Sequence, residues 1–453
     1  MSDTIAAIST GSVLAGIGVI RLSGDDVPAI IDKVFTPAFG GPMSGRKDRM
    51  LVYGALHTAA GETLDLCLCT ISRAPHSYTG ENTAELQCHG SPTVLREGLE
   101  ALFAAGARQA KAGEFTKRAF LNGRMDLTQA EAVIDLIDAQ TADAAANAAG
   151  QLAGALGEKI TPIYSELIDI LSHFHAVLDY PDEEIEPFAL ESYRAVFCRS
   201  RETLAALDSS YERGQVLKNG VRAAIVGSPN AGKSSLLNAL AGYERVIVTE
   251  IAGTTRDTVE ETLRMGGRLV RLADTAGIRK TADRIEGAGV ERARQAAETA
   301  DLAIFVCDGS RPLDASDREA MAEAKKAKFA VAVINKSDLA LCITPQELPF
   351  ETVLTLSART GEGLAALEQV VADRFGTENR CDGAILTNAR QQAAIRQAID
   401  ALDSAVSALD SGLTPDAVLS DVEAALSAVG EVTGRTVRED VVARIFERFC
   451  VGK

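Results

Sequence analysis

The sequence predicts a multidomain protein that combines mixed α/β and all-α parts. Short alternating apolar runs broken by glycine and proline fill the first quarter of the chain, and long stretches with apolar residues at three- and four-residue spacing follow. Strands then alternate with helices from residue 221 to about 376. Because a helical pattern returns after residue 379, we expect a doubly wound, mostly parallel sheet inserted into a helical bundle.

The overall composition disfavours several classes of function. With 453 residues the chain has room for several cores. Its net charge of −17 disfavours a large non-specific nucleic-acid footprint, and the absence of tryptophan disfavours a stacking platform for single strands. Eight cysteines without a CxxC pair, together with the lack of a membrane-length apolar run or a signal-type N-terminus, favour a cytoplasmic location.

The N-terminal part, residues 1–118, is expected to be a mixed α/β module. Residues 18–22 and 64–69 alternate in the manner of strands, and residues 95–105 show the spacing of an amphipathic helix. Residues 77–82 are polar and turn-like, so composition alone favours a surface loop there.

The helical part is predicted to be discontinuous, with residues 119–217 and 379–453 packing as one bundle around an inserted domain of residues 218–378. His173 and His175 are two positions apart and point to different helix faces, which favours structural roles over metal binding. Four segments carry the clearest helical periodicity. They are residues 128–138, 391–409, 417–429 and 440–449.

A phosphate-binding loop is predicted in the inserted domain. The sequence Gly-Ser-Pro-Asn-Ala-Gly-Lys-Ser occupies residues 227–234, between a strand-like run and a helical pattern. Glycines allow backbone N–H groups to turn towards phosphate oxygens, and the helix N-terminus adds its positive dipole end. Lys233 would reach the β- and γ-phosphates, and the Ser234 hydroxyl would sit on Mg²⁺.

Three further motifs follow in order, each after a predicted strand. The Asp274 carboxylate of Asp-Thr-Ala-Gly would hold the Mg²⁺ shell, and the Gly277 amide would face the γ-phosphate. In the Asn-Lys-Ser-Asp sequence of residues 335–338, Asp338 can accept both N–H donors of guanine, a pair that adenine cannot supply. Residues 357–359 would cover the base. The combination predicts a guanine-nucleotide-binding domain.

The hydrolytic machinery is expected to differ from that of Ras-like domains. Ile278 stands where those domains carry a water-positioning glutamine, and the sequence shows no arginine finger. Residues 249–257 are rich in hydroxyls, and with the Asn230 amide oxygen they could surround a monovalent cation beside the phosphates. Thr255 is the expected second hydroxyl on Mg²⁺. The predicted nucleotide contacts are Asn230, Ala231, Gly232, Lys233, Ser234, Ser235, Thr249, Glu250, Ile251, Ala252, Gly253, Thr254, Thr255, Asp274, Thr275, Ala276, Gly277, Asn335, Lys336, Asp338, Ser357, Ala358 and Arg359.

Beyond these motifs, the whole chain resembles the MnmE (TrmE) family of tRNA modification GTPases, which is grouped with the Era- and EngA-like GTPases. The resemblance rests on the nucleotide motifs together with four other segments. These are Gly-Ile-Gly-Val-Ile-Arg at 16–21, Ser-Tyr-Thr-Gly-Glu at 77–81, the run 119–132, and Phe-Cys-Val-Gly-Lys at 449–453.

For the N-terminal part, the resemblance implies a dimerising domain similar to folate-binding aminomethyltransferases. It would bind 5-formyl- or methylene-tetrahydrofolate. Matched by position, the folate contacts are Arg21, Glu81, Arg124 and Lys453. Arg124 stands where the family usually has lysine, so a point ammonium is replaced by a planar guanidinium. Residues 9–16 also depart from the common Gly-Arg-Gly-Gly form.

For the inserted domain, the resemblance implies a potassium site and a water-orienting glutamate. The potassium ligands map to Asn230, Thr249, Ile251 and Thr254, and the catalytic glutamate maps to Glu286, which from sequence alone could also be an exposed carboxylate. Cys450 is given no catalytic role, because the sequence supplies no activating base for it.

The function implied is a potassium-activated GTPase that acts with a flavin-dependent partner of the MnmG (GidA) type. The pair would form the aminomethyl-type (carboxymethylaminomethyl) group at C5 of the wobble uridine of certain tRNAs. The homodimer would join the partner in a heterotetramer, and the tRNA would be bound largely through the partner. Two alternatives stay open at this point. One is a ribosome-assembly GTPase without modification chemistry, and the other is a folate-dependent transferase with a regulatory G domain.

Overall fold

The computed structural model describes residues 3–11, 13–179, 189–243, 261–272, 298–376 and 383–452. The chain divides into two compact units. The first comprises Met1–Ile137, Ala148–Ala205 and Ala393–Lys453, and the second comprises Asp138–Asn147 and Ala206–Gln392. This division does not separate the first two of the three predicted domains, whose boundaries stay a prediction.

An α/β module opens the first unit. Its elements are β1 (Ile5–Ile8), β2 (Ala15–Ser23), α1 (Val27–Val34), β3 (Phe35–Pro37), β4 (Val52–His57), β5 (Thr63–Ser72), β6 (Thr83–Gly90), α2 (Pro92–Ala105), β7 (Arg108–Gln109) and α3 (Glu114–Leu121). The strands form one sheet in the order β3-β4-β5-β6-β2-β1-β7, antiparallel except for the β1–β7 pair. The predicted strands and the predicted helix of this module are confirmed.

Side-chain alternation gives this sheet one buried face. Ile20 and Leu22 of β2, Leu86 of β6 and Cys69 of β5 point into a core that also contains α1 and α2. Gly18 allows the sheet and α2 to approach, because a Cβ there would lie 2.5 Å from Leu95 Cδ1. The opposite face carries the partly exposed residues of the same strands.

A run of helices follows. They are α4 (Leu127–Ile137), α5 (Ala142–Leu152), α6 (Ala155–Asp179), α7 (Leu190–Ser209) and α8 (Tyr211–Asn219). The helix predicted at residues 128–138 is therefore confirmed as α4. His173 on α6 contacts the Tyr193 hydroxyl through Nδ1, and His175 Nε2 lies 3.7 Å from a Glu423 carboxylate oxygen. Both histidines therefore have side-chain partners on neighbouring helices.

The second unit contains the predicted parallel sheet. Its strands and helices are β8 (Val221–Val226), α9 (Lys233–Tyr243), β9 (Glu261–Met265), β10 (Arg268–Leu272), β11 (Leu302–Asp308), α10 (Ala315–Ala324), β12 (Phe329–Asn335), β13 (Thr352–Thr355) and α11 (Leu364–Phe375). The strand order is β13-β12-β11-β8-β10-β9, and every neighbouring pair is parallel except β9 with β10. All seven residues of β11 are buried, as expected for a strand covered on both faces.

The topology of this sheet determines where the predicted nucleotide-binding motifs lie. Parallel strands end at the same edge, so the loops that follow β8, β11, β12 and β13 meet there. The predicted motifs at residues 227–234, 335–338 and 357–359 lie on these loops.

The chain ends in three helices, α12 (Ala389–Asp410), α13 (Pro415–Thr433) and α14 (Glu439–Phe446). They confirm the three predicted C-terminal helices, with ends shifted by a few residues. In the first unit α13 lies against α6, and Phe446 of α14 packs with Leu127 and Phe449. None of the described helices is long and apolar enough to cross a membrane.

Candidate guanine-nucleotide site

The phosphate loop joins β8 to α9 through two tight glycine positions. A Cβ on Gly227 would lie 2.2 Å from the Val306 carbonyl oxygen, and one on Gly232 would lie 2.1 Å from Asn335 Nδ2. Gly232 also has a φ of +97°, and Asn230 has a φ of +62°. The loop therefore needs glycine at both positions, because a side chain would push it away from neighbouring backbone or from Asn335.

Lys233 stands at the start of α9 and folds back over this loop. Its Nζ donates hydrogen bonds of 2.7 Å to the carbonyl oxygens of Gly227 and Ser228. Burial lowers the pKa of Lys233, and the negative charge of Asp317 acts in the opposite direction. The ammonium is thus held at the inside of the loop, where a phosphate-binding lysine is required.

Asn335, the last residue of β12, connects two loops. Its Nδ2 donates to the Ala231 carbonyl at 2.9 Å, and its Oδ1 accepts from the Ala358 N–H at 3.0 Å. Asn335 is only 2% exposed, so both bonds are shielded from water. One buried amide therefore sets the spacing between the phosphate loop and the predicted base-covering segment.

A buried hydroxyl group orients the Asp338 carboxylate. Ser357 Oγ donates to Asp338 Oδ1 at 2.7 Å and in turn accepts from the Thr360 N–H at 3.2 Å. Arg359 is largely exposed, with its Nη1 3.8 Å from Asp338 Oδ2. The carboxylate is fixed on one side and keeps acceptor capacity for a pair of N–H donors on a ligand.

Lys336 completes this loop from a left-handed backbone position, with a φ of +66°. Its Nζ lies 2.5 Å from Asp308 Oδ2 at the end of β11. Burial works to raise the pKa of Asp308, but hydrogen bonds from Lys336 and Ser310 outweigh it, and the net effect lowers the pKa. Asp308 therefore stays ionised and holds the ammonium group of Lys336.

The structure brings together the predicted residues of the phosphate and base motifs that it describes. Ser234 and Ser235 lie in the first turn of α9, next to Lys233. The other predicted contacts lie outside the described residues. They are Thr249, Glu250, Ile251, Ala252, Gly253, Thr254, Thr255, Asp274, Thr275, Ala276, Gly277, the catalytic candidate Glu286 and the folate candidate Lys453.

Three residues around this site were missed by sequence reasoning, namely Asp308, Arg311 and Asp317. Arg311 Nη2 donates to Ser228 Oγ at 3.0 Å, and its Nη1 lies 2.8 Å from Asp317 Oδ2. The one available signal was the spacing of Asp314 and Asp317, which form a capping box at the start of α10.

The predicted folate contacts lie around one loop in the first unit. The Arg21 guanidinium stands 5.6 Å from the centre of the Tyr78 ring, and a Cβ on Gly80 would lie 3.3 Å from Arg124 Cγ. Glu81 belongs to the same loop. The structure therefore groups Arg21, Glu81 and Arg124 about residues 77–82.

Residues 77–82 form a loop, as predicted, but two of its polar side chains are buried rather than on the surface. Thr79 is fully buried and Ser77 is 7% exposed. Their hydroxyls are bonded, since Thr79 Oγ1 lies 2.7 Å from Ser23 Oγ and Ser77 Oγ donates to the Glu81 carbonyl at 2.5 Å. Composition could not predict this burial, because polar side chains can be buried when they form hydrogen bonds with one another.

Arg118 on α3, also missed by sequence reasoning, holds Glu81 in place. Its Nη1 donates to Glu81 Oε2 at 2.9 Å, and Ser23 Oγ donates to the same oxygen at 2.7 Å. Arg118 Nη2 also contacts Asp3 at 2.7 Å and Glu114 at 3.1 Å. We call Asp3, Glu81, Arg108, Glu114 and Arg118 the Arg118 cluster.

The described residues contain one cluster of potential metal ligands, Asp65, Cys67 and Cys88. The Asp65 oxygens accept from the backbone N–H and Nδ1 of His89, at 2.9 and 2.8 Å. Cys67 and Cys88 are buried in the sheet core, and their mutual hydrogen bond and burial raise the pKa of the Cys88 thiol. The cluster is thus explained by core packing.

Two family models match most of the chain. A family model described as the MnmE helical domain matches residues 127–450, and one described as the GTP-binding protein TrmE N-terminus matches residues 4–124. Among solved structures, the G domain of the T. maritima FeoB iron transporter is 26% identical, with a TM-score of 0.27, and the match covers 35% of this chain and 99% of that one.

Curated relatives match over the full length. The chain is 43% identical to the tRNA modification GTPase MnmE of Symbiobacterium thermophilum, covering 100% of this chain and 99% of the relative. It is 42% identical to the MnmE of Roseiflexus castenholzii, with the same coverage. Family models match both ends of the chain, and relatives of this name match its full length, so the chain belongs to the MnmE family of tRNA modification GTPases.

Proposed function

We propose that this tRNA modification GTPase is activated by potassium and acts with a flavin-dependent protein of the MnmG (GidA) type. Together they would form the carboxymethylaminomethyl group at C5 of the wobble uridine of certain tRNAs. Hydrolysis of GTP to GDP and phosphate would act as a conformational switch rather than supply the carbon chemistry. The observation that carries the proposal is the full-length match to relatives named for tRNA modification, combined with the base-reading cluster around Asp338.

The potassium part is supported by Asn230. This residue is exposed, holds a left-handed backbone conformation, and its side-chain amide makes no hydrogen bond to the described residues. An amide oxygen is a suitable ligand for a hard cation. With Thr249, Ile251 and Thr254 it would hold the ion, which supplies positive charge where a finger arginine acts in other GTPases.

Magnesium would be held by hydroxyls and a carboxylate. Ser234 lies in the first turn of α9 beside Lys233, the position from which a hydroxyl reaches a phosphate-bound ion. We assign the second hydroxyl to Thr255 and the outer carboxylate to Asp274. Glu286 would orient the attacking water.

A tetrahydrofolate is the proposed ligand of the first unit. Glu81 offers it a fixed carboxylate, because Arg118 and Ser23 both bind Oε2 and no hydrogen bond from the described residues reaches Oε1. An ionised carboxylate oxygen accepts the N–H groups of a pterin ring. Arg21 and the exposed Arg124 would serve the anionic part of the ligand, together with Lys453.

The proposed assembly is a homodimer that joins the flavoprotein in a heterotetramer. Val13, Leu14 and Ile17 at the start of the sheet are 74%, 83% and 64% exposed, and Leu66 on β5 is 52% exposed. Apolar side chains exposed in this way favour contact with another protein surface, and a second copy of the chain is the proposed occupant. A chain with a net charge of −17 would hold tRNA largely through its partner.

GTP turnover in potassium and in sodium, at equal ionic strength, tests the cation. We expect turnover at least about tenfold faster in potassium, because the ion stabilises charge that develops on the phosphates. Asn230→Ala should lose that difference, whereas Asn238→Ala, at an exposed position on α9, should keep it. Equal rates in the two salts for the unchanged protein would refute potassium activation.

Analysis of wobble uridines in tRNA from a deletion strain tests the modification. We expect the carboxymethylaminomethyl group to disappear and to return when the gene is restored. A normal modification pattern together with altered ribosomal subunit profiles would instead support the ribosome-assembly alternative.

Isothermal titration with 5-formyl-tetrahydrofolate, comparing the unchanged protein with Glu81→Gln, tests the ligand of the first unit.

A further inference from the structure

Arg311 connects the phosphate loop to the start of α10. It lies in the turn after β11, and its Nη2 donates to Ser228 Oγ at 3.0 Å. Its Nη1 lies 2.8 Å from Asp317 Oδ2 and 2.9 Å from Asp314 Oδ2. One guanidinium thus binds a side chain of the phosphate loop and two carboxylates of α10 at the same time. Arg311 is not among the predicted nucleotide contacts.

Asp317 is the reason why Arg311 has a fixed position. This residue is fully buried, and its backbone N–H donates to Asp314 Oδ1 at 2.9 Å in the capping box of α10. A buried carboxylate needs a paired cation, and Arg311 supplies it. The Asp317 charge also acts on Lys233, so an unpaired Asp317 would add negative charge near the group that receives the phosphates.

Ser228 is the residue of the phosphate loop that the Arg311–Asp317 pair contacts. The residue is 2% exposed, and its carbonyl oxygen accepts one of the two hydrogen bonds of Lys233. Fixing the Ser228 hydroxyl therefore fixes the peptide that holds the lysine. A loop that is already ordered loses less conformational entropy when it closes around phosphates, which strengthens binding.

We propose that Arg311 is a positioning residue for nucleotide binding, which orders the Ser228 side of the phosphate loop and neutralises Asp317. It does not touch the reacting atoms. Its loss should therefore speed nucleotide release and raise the KM for GTP, while kcat at saturating GTP stays nearly unchanged.

Release of a fluorescent N-methylanthraniloyl-GDP from the full chain tests this proposal. Ser228→Ala removes the hydroxyl without removing a charge, and Arg311→Gln removes the cation. We expect Ser228→Ala to speed release about tenfold, which corresponds to one hydrogen bond to a charged group. Arg311→Gln should speed release further, because the buried Asp317 then also lacks its cation. In the double variant the effects should not multiply, because both changes break one contact. Arg318 is an exposed arginine on α10, so Arg318→Gln should release the nucleotide at the unchanged rate.

A double variant separates two effects of Arg311, the ordering of the phosphate loop through Ser228 and the neutralisation of Asp317. In Arg311→Gln/Asp317→Asn the buried negative charge is also removed, so release should slow again, but only to the rate of Ser228→Ala, since the link to the hydroxyl stays broken. Release at the unchanged rate in Ser228→Ala, or effects of the two single variants that multiply fully, would overturn the proposal. An equal fall in kcat and kcat/KM in Ser228→Ala would overturn it as well.

Discussion

The nucleotide site of the second unit and the Arg118 cluster of the first unit both hold polar groups in a fixed position, by different means. The nucleotide site relies on backbone: Asn335 binds two main-chain groups, and Gly232 permits the close approach. The Arg118 cluster relies on side chains, with Arg118 binding Asp3, Glu81 and Glu114. The first arrangement shapes a loop for phosphates, whereas the second orients a single carboxylate.

The two arrangements also fail differently. A backbone site is disrupted when a side chain is added where none fits, because the neighbouring main chain cannot move aside. A cluster of partly buried charges is disrupted when one member is removed, because the remaining charges lose their partner in a low-dielectric setting.

Removal of Arg118 should have the largest effect on stability. Arg118→Gln leaves Glu81 without its cation, whereas Asp3 and Glu114 keep Arg108 as a partner. The side chains of Arg118 and Glu81 are only 11% and 13% exposed. Breaking such a pair from one side costs about 3–5 kcal/mol. Urea unfolding followed by circular dichroism measures the loss in the first unit.

Arg96→Gln is the matched control, because Arg96 pairs with Glu97 at 3.8 Å on an exposed surface. Its loss should change the free energy of unfolding by no more than about 0.5 kcal/mol. If the two variants unfold at the same urea concentration, the Arg118 cluster does not hold the first unit together.

A methyl group on Gly232 should abolish most nucleotide binding. Gly232→Ala places a Cβ 2.1 Å from Asn335 Nδ2 and forces alanine into a φ of +97°. We expect GDP affinity to fall by about a hundredfold, close to 3 kcal/mol. Titration with fluorescent GDP measures it. Gly267→Ala shares a left-handed φ, +74°, but its Cβ meets no atom within 4 Å, so it should bind GDP normally.

Glu114 should give a smaller, pH-dependent effect. Burial works to raise its pKa, but hydrogen bonds from Arg108, the Lys111 backbone and Arg118 lower it from 4.5 to about 2. Because the folded-state pKa is depressed, the charged carboxylate stabilises the fold fully above pH 4.5, and this contribution is lost as the pH falls towards 2.

The advantage of the unchanged protein over Glu114→Gln should therefore be about 1–2 kcal/mol near pH 7 and shrink steadily below pH 4.5. Urea midpoints of both proteins between pH 7 and pH 3 give this difference directly. A difference that stays constant over that range would show that Glu114 acts through packing and not through its charge.

The two sites also differ in how much of each could be predicted from the sequence. The phosphate and base motifs are short runs that follow strands, so residues 227–234 and 335–338 could be placed at one sheet edge from local pattern alone. Arg118 and Asp3 are 115 positions apart, and Arg311 reaches Ser228 from 83 positions away. Such pairs leave no periodicity in the sequence, because only the folded chain brings them together.

Burial of polar side chains could not be predicted for the same reason. Thr79 reads as a loop residue, yet it is fully buried because Ser23, on β2, lies within hydrogen-bond distance. Composition records the polarity of a segment but not the partners that satisfy it.

The central claim is that the loop of Asn335 and Asp338 recognises guanine. Asp338, with one oxygen fixed by Ser357, accepts the two N–H groups of guanine, whereas the amide of Asp338→Asn can donate to the 2-carbonyl of xanthine. The affinities of both proteins for fluorescent GDP and xanthosine diphosphate decide the matter. We predict that the unchanged protein prefers GDP by roughly a thousandfold or more and that the variant reverses the order. An unchanged preference in the variant would contradict the account.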